Sequence, residues 1–457
     1  MFRGKRSGLR ATVVVSGLAV MASLAGCSSG GGGPSDTGGS SDKVTITFAH
    51  WDPNQLELAF PPAIVAFEQE YPNITVDAQQ IPYDDFLAKI QTGVVAGTAP
   101  DVFVTLPNTI KHFESNNTLL DLSSYLKDDN FDLTNYVPFS VESYQQEGAT
   151  YGIPWIVDTV GTYYNKDELA KAGFDSMPTG LTWAPDGSGT LLPFLEKLTI
   201  DANGVNAGQP NFDSAHVVQY GMGVSPDSTQ SFADVLMVGN GGGYQMTPGG
   251  EPTVNSAENV EVYQFISDLM YKYHVAPPGS TVIAPNAGAE QGQFLSGEVA
   301  TLAGGDWLIS AIQPGATFKW GVGENPTGPK GRFTSISSAA FSIPQNTAHP
   351  AEAVLLAEFL ASAKAQTIMA GSGTIQSSLT SLGSIFASAW ESEGLDVSAL
   401  VPENGGTLFG LPSGPNIDAV QIATDAEVAA IYLNTSSVQE ALDAAQTAAM
   451  SAYKGNG

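Results

Sequence analysis

Apolar and polar positions alternate along this 457-residue chain in two rhythms. Residues 44–48 read apolar–Thr–apolar–Thr–apolar, the period of two expected of a half-buried strand. Residues 73–78 and 102–106 form further short strands. Between them the period lengthens. Pro61-Pro62 opens a predicted helix through Phe67 to Glu70. Asp84 or Asp85 caps another, with Phe86, Leu87, Ile90 and Val94 on one face and an end near Gly97. Further on, Ser256 starts a long helix whose stripe Val262, Phe265, Ile266, Leu269, Met270 and Tyr273 belongs in a core. Helices over 418–433 and 438–453 end the chain. Strands alternating with helices predict an α/β fold built of parallel βαβ units.

Residues 151–173 interrupt this rhythm. Tyr151-Gly152-Ile153-Pro154-Trp155 reads as an aromatic, proline-broken turn that ends one unit. Residues 156–164 are rich in Val, Thr and Tyr and should run extended. Asn165 reads as a helix N-cap with Glu168 as its box partner, and Gly173 closes that short helix.

The N-terminus follows different rules. Residues 1–26 carry Arg3, Lys5, Arg6 and Arg10, no acid, and a 15-residue run over 11–25 that is too short to span a bilayer comfortably. Leu24-Ala25-Gly26-Cys27 follows, which reads as a signal peptide with a bacterial lipobox and Cys27 as lipid acceptor. Cys27 is the only cysteine, so no disulfide forms within the chain and the fold must rest on its core. The Gly/Ser run after it, within 27–42, is a flexible tether. Removing the leader's four cations from 17 leaves 13 against 46 acids, a net −33. Such a surface repels phosphate backbones and excludes nucleic acid as a partner.

Three motifs resemble the carbohydrate-binding (family 1) branch of extracellular solute-binding proteins of ABC importers, similar to maltose-binding protein. The first is Gly152-Ile153-Pro154-Trp155, Asp158 and Tyr163-Tyr164-Asn165-Lys166 through Ala172-Gly173. The second is Gly97-Thr98-Ala99-Pro100-Asp101-Val102-Phe103, followed by Leu119-Leu120-Asp121-Leu122. The third runs from Phe294 through Gly297 to Gly304-Gly305-Asp306-Trp307, with Thr301 where the family has Met. The resemblance spans roughly 44–375; the last 80 or so residues match nothing specific.

It implies a two-lobe, type II periplasmic-binding-protein-like fold: each lobe a mostly parallel sheet flanked by helices, joined by three hinge crossings. The lobes would be 43–157 plus 324–346, and 158–323 plus 347–457. The second crossing is expected at Pro326-Thr327-Gly328-Pro329-Lys330-Gly331, and the third at Ala348-His349-Pro350. By the same resemblance the ligand residues are Trp51, Asp52, Asn108, Trp155, Asp158 and Trp307. Trp307 would stack on the ligand, with Gly304-Gly305 leaving room beside its ring. The competing readings are a capped strand end for Trp51-Asp52, a core residue for Trp307, and a turn cap for Asp101. Trp183 fits a core or a lid equally. Asp201, Asn203 and Asp213 hint at calcium, but Val205, Asn206 and Phe212 occupy places an EF-hand loop needs, which favours a pair of Asx turns.

Chemistry narrows the ligand. HExxH and GxxxxGK[ST] are absent from the sequence, GxSxG occurs only as Gly26-Cys27-Ser28-Ser29-Gly30 at the leader–tether junction, where no strand-to-helix turn is expected, and five histidines are scattered without metal spacing. No cofactor, metal or catalysis is expected. A pyranose offers a C–H face to Trp and hydroxyls to Asp and Asn. Only Lys111 lies near the first cleft segments, which argues against anionic ligands. The expected protein is a monomeric lipoprotein on the extracellular face of the bacterial membrane, capturing a neutral sugar or oligosaccharide by hinge closure for an ABC permease. The alternatives are a secreted carbohydrate-active enzyme, or a binder of peptide, polyamine or metal.

Overall fold

The crossing strand Ile153–Asn165 organises the molecule. A computed structural model describes residues 43–51, 54–115, 117–226, 230–247, 250–283, 289–371, 373–412, 414 and 416–455. The leader, Cys27, the tether and Asp52 lie outside them. All residues of the crossing strand are buried except Asp158, which is half-buried. That is the near-continuous apolar run of a strand covered on both faces. Its first half pairs antiparallel with Phe333–Ser342, and its second half with Val299–Gly305 and Trp320–Gly323.

Outward from it on one side, the strand order is Phe333–Ser342, Val102–Thr105, Val44–Trp51, Ile74–Ile81; on the other, Val299–Gly305, Val217–Gly223, Ile200–Asp201. The βαβ pairs are parallel, as expected: Val44–Trp51 with both neighbours, and Val217–Gly223 with Val299–Gly305. The strands that link the lobes run antiparallel and make each sheet mixed.

One core gathers the outer strands of the first lobe around Phe48, Phe60, Phe103, Trp155 and Phe341. A second gathers Trp183, Phe265, Leu236 and the C-terminal helices, and a smaller third lies around Tyr163, Phe294 and Trp320. The lobe boundary therefore differs from the expected one. Helices Pro350–Ala361 and Ala363–Ala370 pack in the first core through Ala353, Leu356, Leu360, Ala365 and Met369. Eight of the first helix's 12 residues are buried; a helix apolar on so many sides has to be covered. The third crossing comes later, where Gln376–Ser377 pairs with the crossing strand and Phe386 enters the third core.

Local readings hold with instructive shifts. Asn165 caps its helix by accepting from the Asp167 and Glu168 amides, but the Glu168 carboxylate turns to Lys171 at 2.8 Å. Pro154 lies inside the strand, not in a turn. The ladder shifts register beside it, between Ala339 and Ala340, which accommodates a residue with no N–H. The helix expected from Pro61-Pro62 begins at Asn54 and contains both prolines. The second helix starts at Tyr83 behind Pro82, ahead of Asp84 and Asp85, and ends at Gly97 with φ 72°.

Candidate functional site: a groove and the hinge beneath it

A groove of about 360 Å³ opens beyond the carboxyl ends of the first-lobe strands, the usual ligand position in α/β sheets. Trp51 ends its strand and meets Tyr83 and Phe86 edge-on, at 5.9 and 5.5 Å between ring centres. Asn108 follows Val102–Thr105 at the start of helix Pro107–Ser115, and its Oδ1 is buried without a hydrogen-bond partner.

The facing wall is the C-terminal helix Ile417–Tyr432, which packs into the second core. Asp418, Gln421, Ile422 and Asp425 line the groove from it. Their spacing i, i+3, i+4, i+7 puts them on one helical face. Tyr83 is 58% exposed and Ile422 71%, so both walls present apolar surface to a guest. Asn108 and Gln421 also border a smaller cavity of about 20 Å³ shared with Tyr244, Gln245 and Pro412.

Beneath, the chain crossings bring two carboxyl groups together. Asp158 stands on the crossing strand opposite Ser337. Asp306 begins the turn after Val299–Gly305 and is 2% exposed. The two side chains are near enough for each to shift the other's ionisation. Gln376 Nε2 donates to Asp306 Oδ2 at 2.8 Å. Burial pushes the Asp158 carboxyl up to about 6. Burial first, then the Asp158 charge, pushes Asp306 well above the usual carboxylate range.

Of the six ligand residues expected from sequence, Trp51 and Asn108 line the groove. Asp158 stands at the hinge and Trp307, half-buried, follows Asp306. The Gly304-Gly305 pair serves the chain itself: a Cβ on Gly305 would lie 1.8 Å from the Trp307 ring, and one on Gly304 2.2 Å from Leu308. The space reserved for a ligand there is filled by those two side chains. Trp155 is a correction. It is 0% exposed, stacked on Phe341 at 5.3 Å and against Phe60 at 4.8 Å. Its neighbours on the strand are equally buried, so its ring fills the first core and reaches no ligand. Asp52 cannot be placed.

The open alternatives also resolve. Trp183 is a core residue, stacked on Phe265 at 5.2 Å. Asp101 accepts from Thr47 N and Oγ1 at 2.9 and 2.7 Å and from Thr347 Oγ1 at 2.7 Å, which makes it a structural tie. Burial opposes its ionisation, but these donors outweigh it and hold the carboxyl below its ordinary value. Asp201 accepts from the amides of Asn203, Val205 and Asp213, and Asp213 from that of Ala215, the Asx turns expected.

Sequence reasoning missed Tyr83, Asp418, Gln421, Asp425, Asp306 and Gln376. The i, i+3, i+4, i+7 spacing on the last helices was readable; which face met the groove was not.

The chain resembles known proteins throughout this region. Residues 53–367 match the family of bacterial extracellular solute-binding proteins. A putative binding protein of Brucella abortus is 25% identical over 308 residues, 65% of this chain and 66% of that one. An arabinooligosaccharide-binding protein of Halalkalibacterium halodurans is 26% identical over 287 residues, 60% and 56%. The chain thus spans less than two thirds of these relatives' lengths. Among solved structures, UspC of M. tuberculosis superposes with a TM-score of 0.73 at 25% identity, covering 89% of this chain and all of that one. An ABC substrate-binding protein from Listeria monocytogenes, solved with cycloalternan, gives 0.74 at 22% identity, over 89% and 98%; it bears on the fold alone. With a matched segment that covers more than half of the chain and includes Val102–Thr105, Asp158 and Asp306, this chain belongs to the bacterial extracellular solute-binding proteins.

Proposed function

We propose that the protein captures a sugar or oligosaccharide between its lobes and, tethered by lipid on Cys27 at the outer face of the membrane, hands it to an ABC permease as a monomer. One observation carries the reading: the groove's walls come from different lobes, Trp51, Tyr83 and Asn108 on one and Gln421 and Ile422 on the other. A guest touching both favours the closed arrangement over the open one, because only there does it gain both sets of contacts. Aromatic rings with nearby amides and carboxylates suit a pyranose. The names of relatives agree: arabinooligosaccharide-binding, and the maltotriose-binding protein of Pyrococcus abyssi. Trp307 remains a candidate stacking residue.

A glycosidase needs its two carboxyls about 5 to 10 Å apart. Asp158 and Asp306, both raised by burial, lie outside the groove lining, which favours binding over turnover. Calorimetry with arabino-, malto- and manno-oligosaccharides tests the reading. Binding without product is expected; hydrolysis, or no binding to any, would overturn it. Unchanged affinity in Trp307→Ala would remove the stacking role. Lipid labelling that survives Cys27→Ser would remove the anchor.

A further inference from the structure

Arg332 is the one arginine beyond residue 10. It follows the crossing hairpin 326–331 and stands just before the strand Phe333–Ser342. Its guanidinium works in two directions. Nη1 pairs with the Glu324 carboxylate, both side chains being half-buried, and the other Glu324 oxygen accepts the Gly180 amide at 3.3 Å. Nη2 donates to the Asn404 carbonyl at 3.1 Å.

Beside this fork, the short strand Thr407–Gly410 joins Phe333–Ser342 in parallel, with Thr407 opposite Phe333 and Gly410 opposite Ile336. Thr407 N donates to Arg332 O at 3.0 Å, and Thr334 Oγ1 donates to Gly405 O. Glycines permit the close approach. Gly406 has φ 97°, and a Cβ on it would lie 2.7 Å from the Arg332 carbonyl oxygen; one on Gly410 would lie 2.2 Å from the Phe139 ring. Phe409 meets the Tyr244 ring at 6.0 Å. Residues 404–410 thus form a strap on the hinge strand that touches Phe139 from the first-lobe segment and Tyr244 from the second. Directly after the strap, Leu411 and Pro412 line the small cavity together with Asn108, Ile417 and Gln421. Ile417 begins the helix that supplies the groove's facing wall.

We propose that Arg332 is a positioning residue for the groove: by holding Glu324 and the Asn404 carbonyl at once it seats the strap on the hinge strand, and the strap keeps the facing-wall helix Ile417–Tyr432 at the spacing a guest needs from Trp51 and Asn108. The wall's placement stands on the contacts alone; its effect on affinity rests on the sugar-binding reading. Arg332 itself lies outside the groove lining, so it acts only through the strap.

The strap is suited to this control because little else holds it. Thr407 and Leu408 are exposed, and a short ladder with few buried side chains opens locally at low cost. With the fork gone, a guest has to reorder strap and wall before it gains both sets of contacts, which lowers affinity. The lobe cores are untouched, and a partly exposed ion pair adds little to global stability. Lysine at 332 would keep the charge beside Glu324 but lacks the planar fork that reaches two acceptors at once.

Hydrogen exchange read by mass spectrometry on the ligand-free protein tests the strap directly, in wild type, Arg332→Ala, Arg332→Lys and Gly406→Val. The valine variant unseats the strap without touching the guanidinium. In all three variants, exchange over 404–410 and 417–424 should quicken at least about tenfold, while 153–165 stays protected and the thermal midpoint stays within about 2 °C of wild type. Calorimetry with whichever of maltotriose, mannotriose or arabinotriose binds should show each variant about tenfold weaker. Unchanged exchange over 404–410 overturns the proposal, as does a strap that opens while 417–424 stays protected. Full affinity in a variant whose strap has opened overturns it too, and so does a lysine variant equal to wild type in both measurements. Exchange that rises throughout the chain with a lowered midpoint would make Arg332 a general stabiliser and end its positioning role. If exchange behaves as expected and none of the three sugars binds wild type, the wall's placement stands and the sugar reading fails.

Discussion

Groove and hinge use the same residue types to opposite ends. In the groove, Trp51 is 9% exposed and its ring packs edge-on beside open space. At the hinge, Trp155 is 0% exposed and stacked among phenylalanines. Carboxyls divide the same way within the first lobe and the hinge. Asp101 faces three donors and is held ionised. Asp306 faces one donor and another carboxyl, and burial raises it well above the usual carboxylate range. Burial alone decides neither pair; what lies within hydrogen-bond or stacking distance does.

The largest test of this contrast is Trp155→Ala. Truncating a fully buried Trp should cost about 3–5 kcal/mol in denaturant unfolding, with sugar affinity of the folded fraction unchanged. A clear affinity loss without destabilisation would return Trp155 to the ligand site. Next, Asp101→Ala should cost about 2–3 kcal/mol by the same measurement, because the Thr47 and Thr347 donors lose a charged acceptor.

The two carboxyl environments should also give opposite pH slopes. The Asp101 value is lowered in the fold, so its contribution is present above the unfolded value of about 3.9 and is lost as pH falls through the folded value. The Asp158 and Asp306 values are raised, so their contribution is present at low pH and is lost as pH rises, through about 6 for Asp158 and beyond for Asp306. Thermal unfolding across pH should therefore show Asp101→Asn flattening the acid side and Asp306→Asn the neutral side. The reverse assignment would break the comparison.

Smaller effects belong to the groove. Trp51→Ala should weaken sugar binding roughly tenfold, about 1.4 kcal/mol of lost stacking and area, measured by calorimetry. Ile422→Ala should change stability by less than about 0.5 kcal/mol, since its side chain is exposed, and lower affinity about twofold. A stability loss as large as that of Trp155→Ala would mean that Ile422 is packed, not presented.

Much of the fold was legible because it is written locally. Asn165 as an N-cap, Gly97 as a left-handed stop, Ser256 as a cap and the Val262-to-Met270 stripe all follow from neighbours a few residues away. The errors came where distant packing overrode local chemistry. Pro154 sits in a strand because a register shift on Phe333–Ser342 absorbs its missing N–H. Residues 350–370 joined the first lobe because their apolar faces found cover there.

By itself, then, the sequence determined the alternation of strands and helices, the caps and stops, and the motifs that place the chain in its family. Periodicity and capping act over one or two turns and need no partner. Tertiary structure alone decided which Trp faces open space, which wall the last helices supply, and that Asp158, Asp306 and Gln376 meet. Those outcomes depend on residues 70 or more positions apart being brought together, and a carboxyl's charge depends on the donors that folding brings within reach.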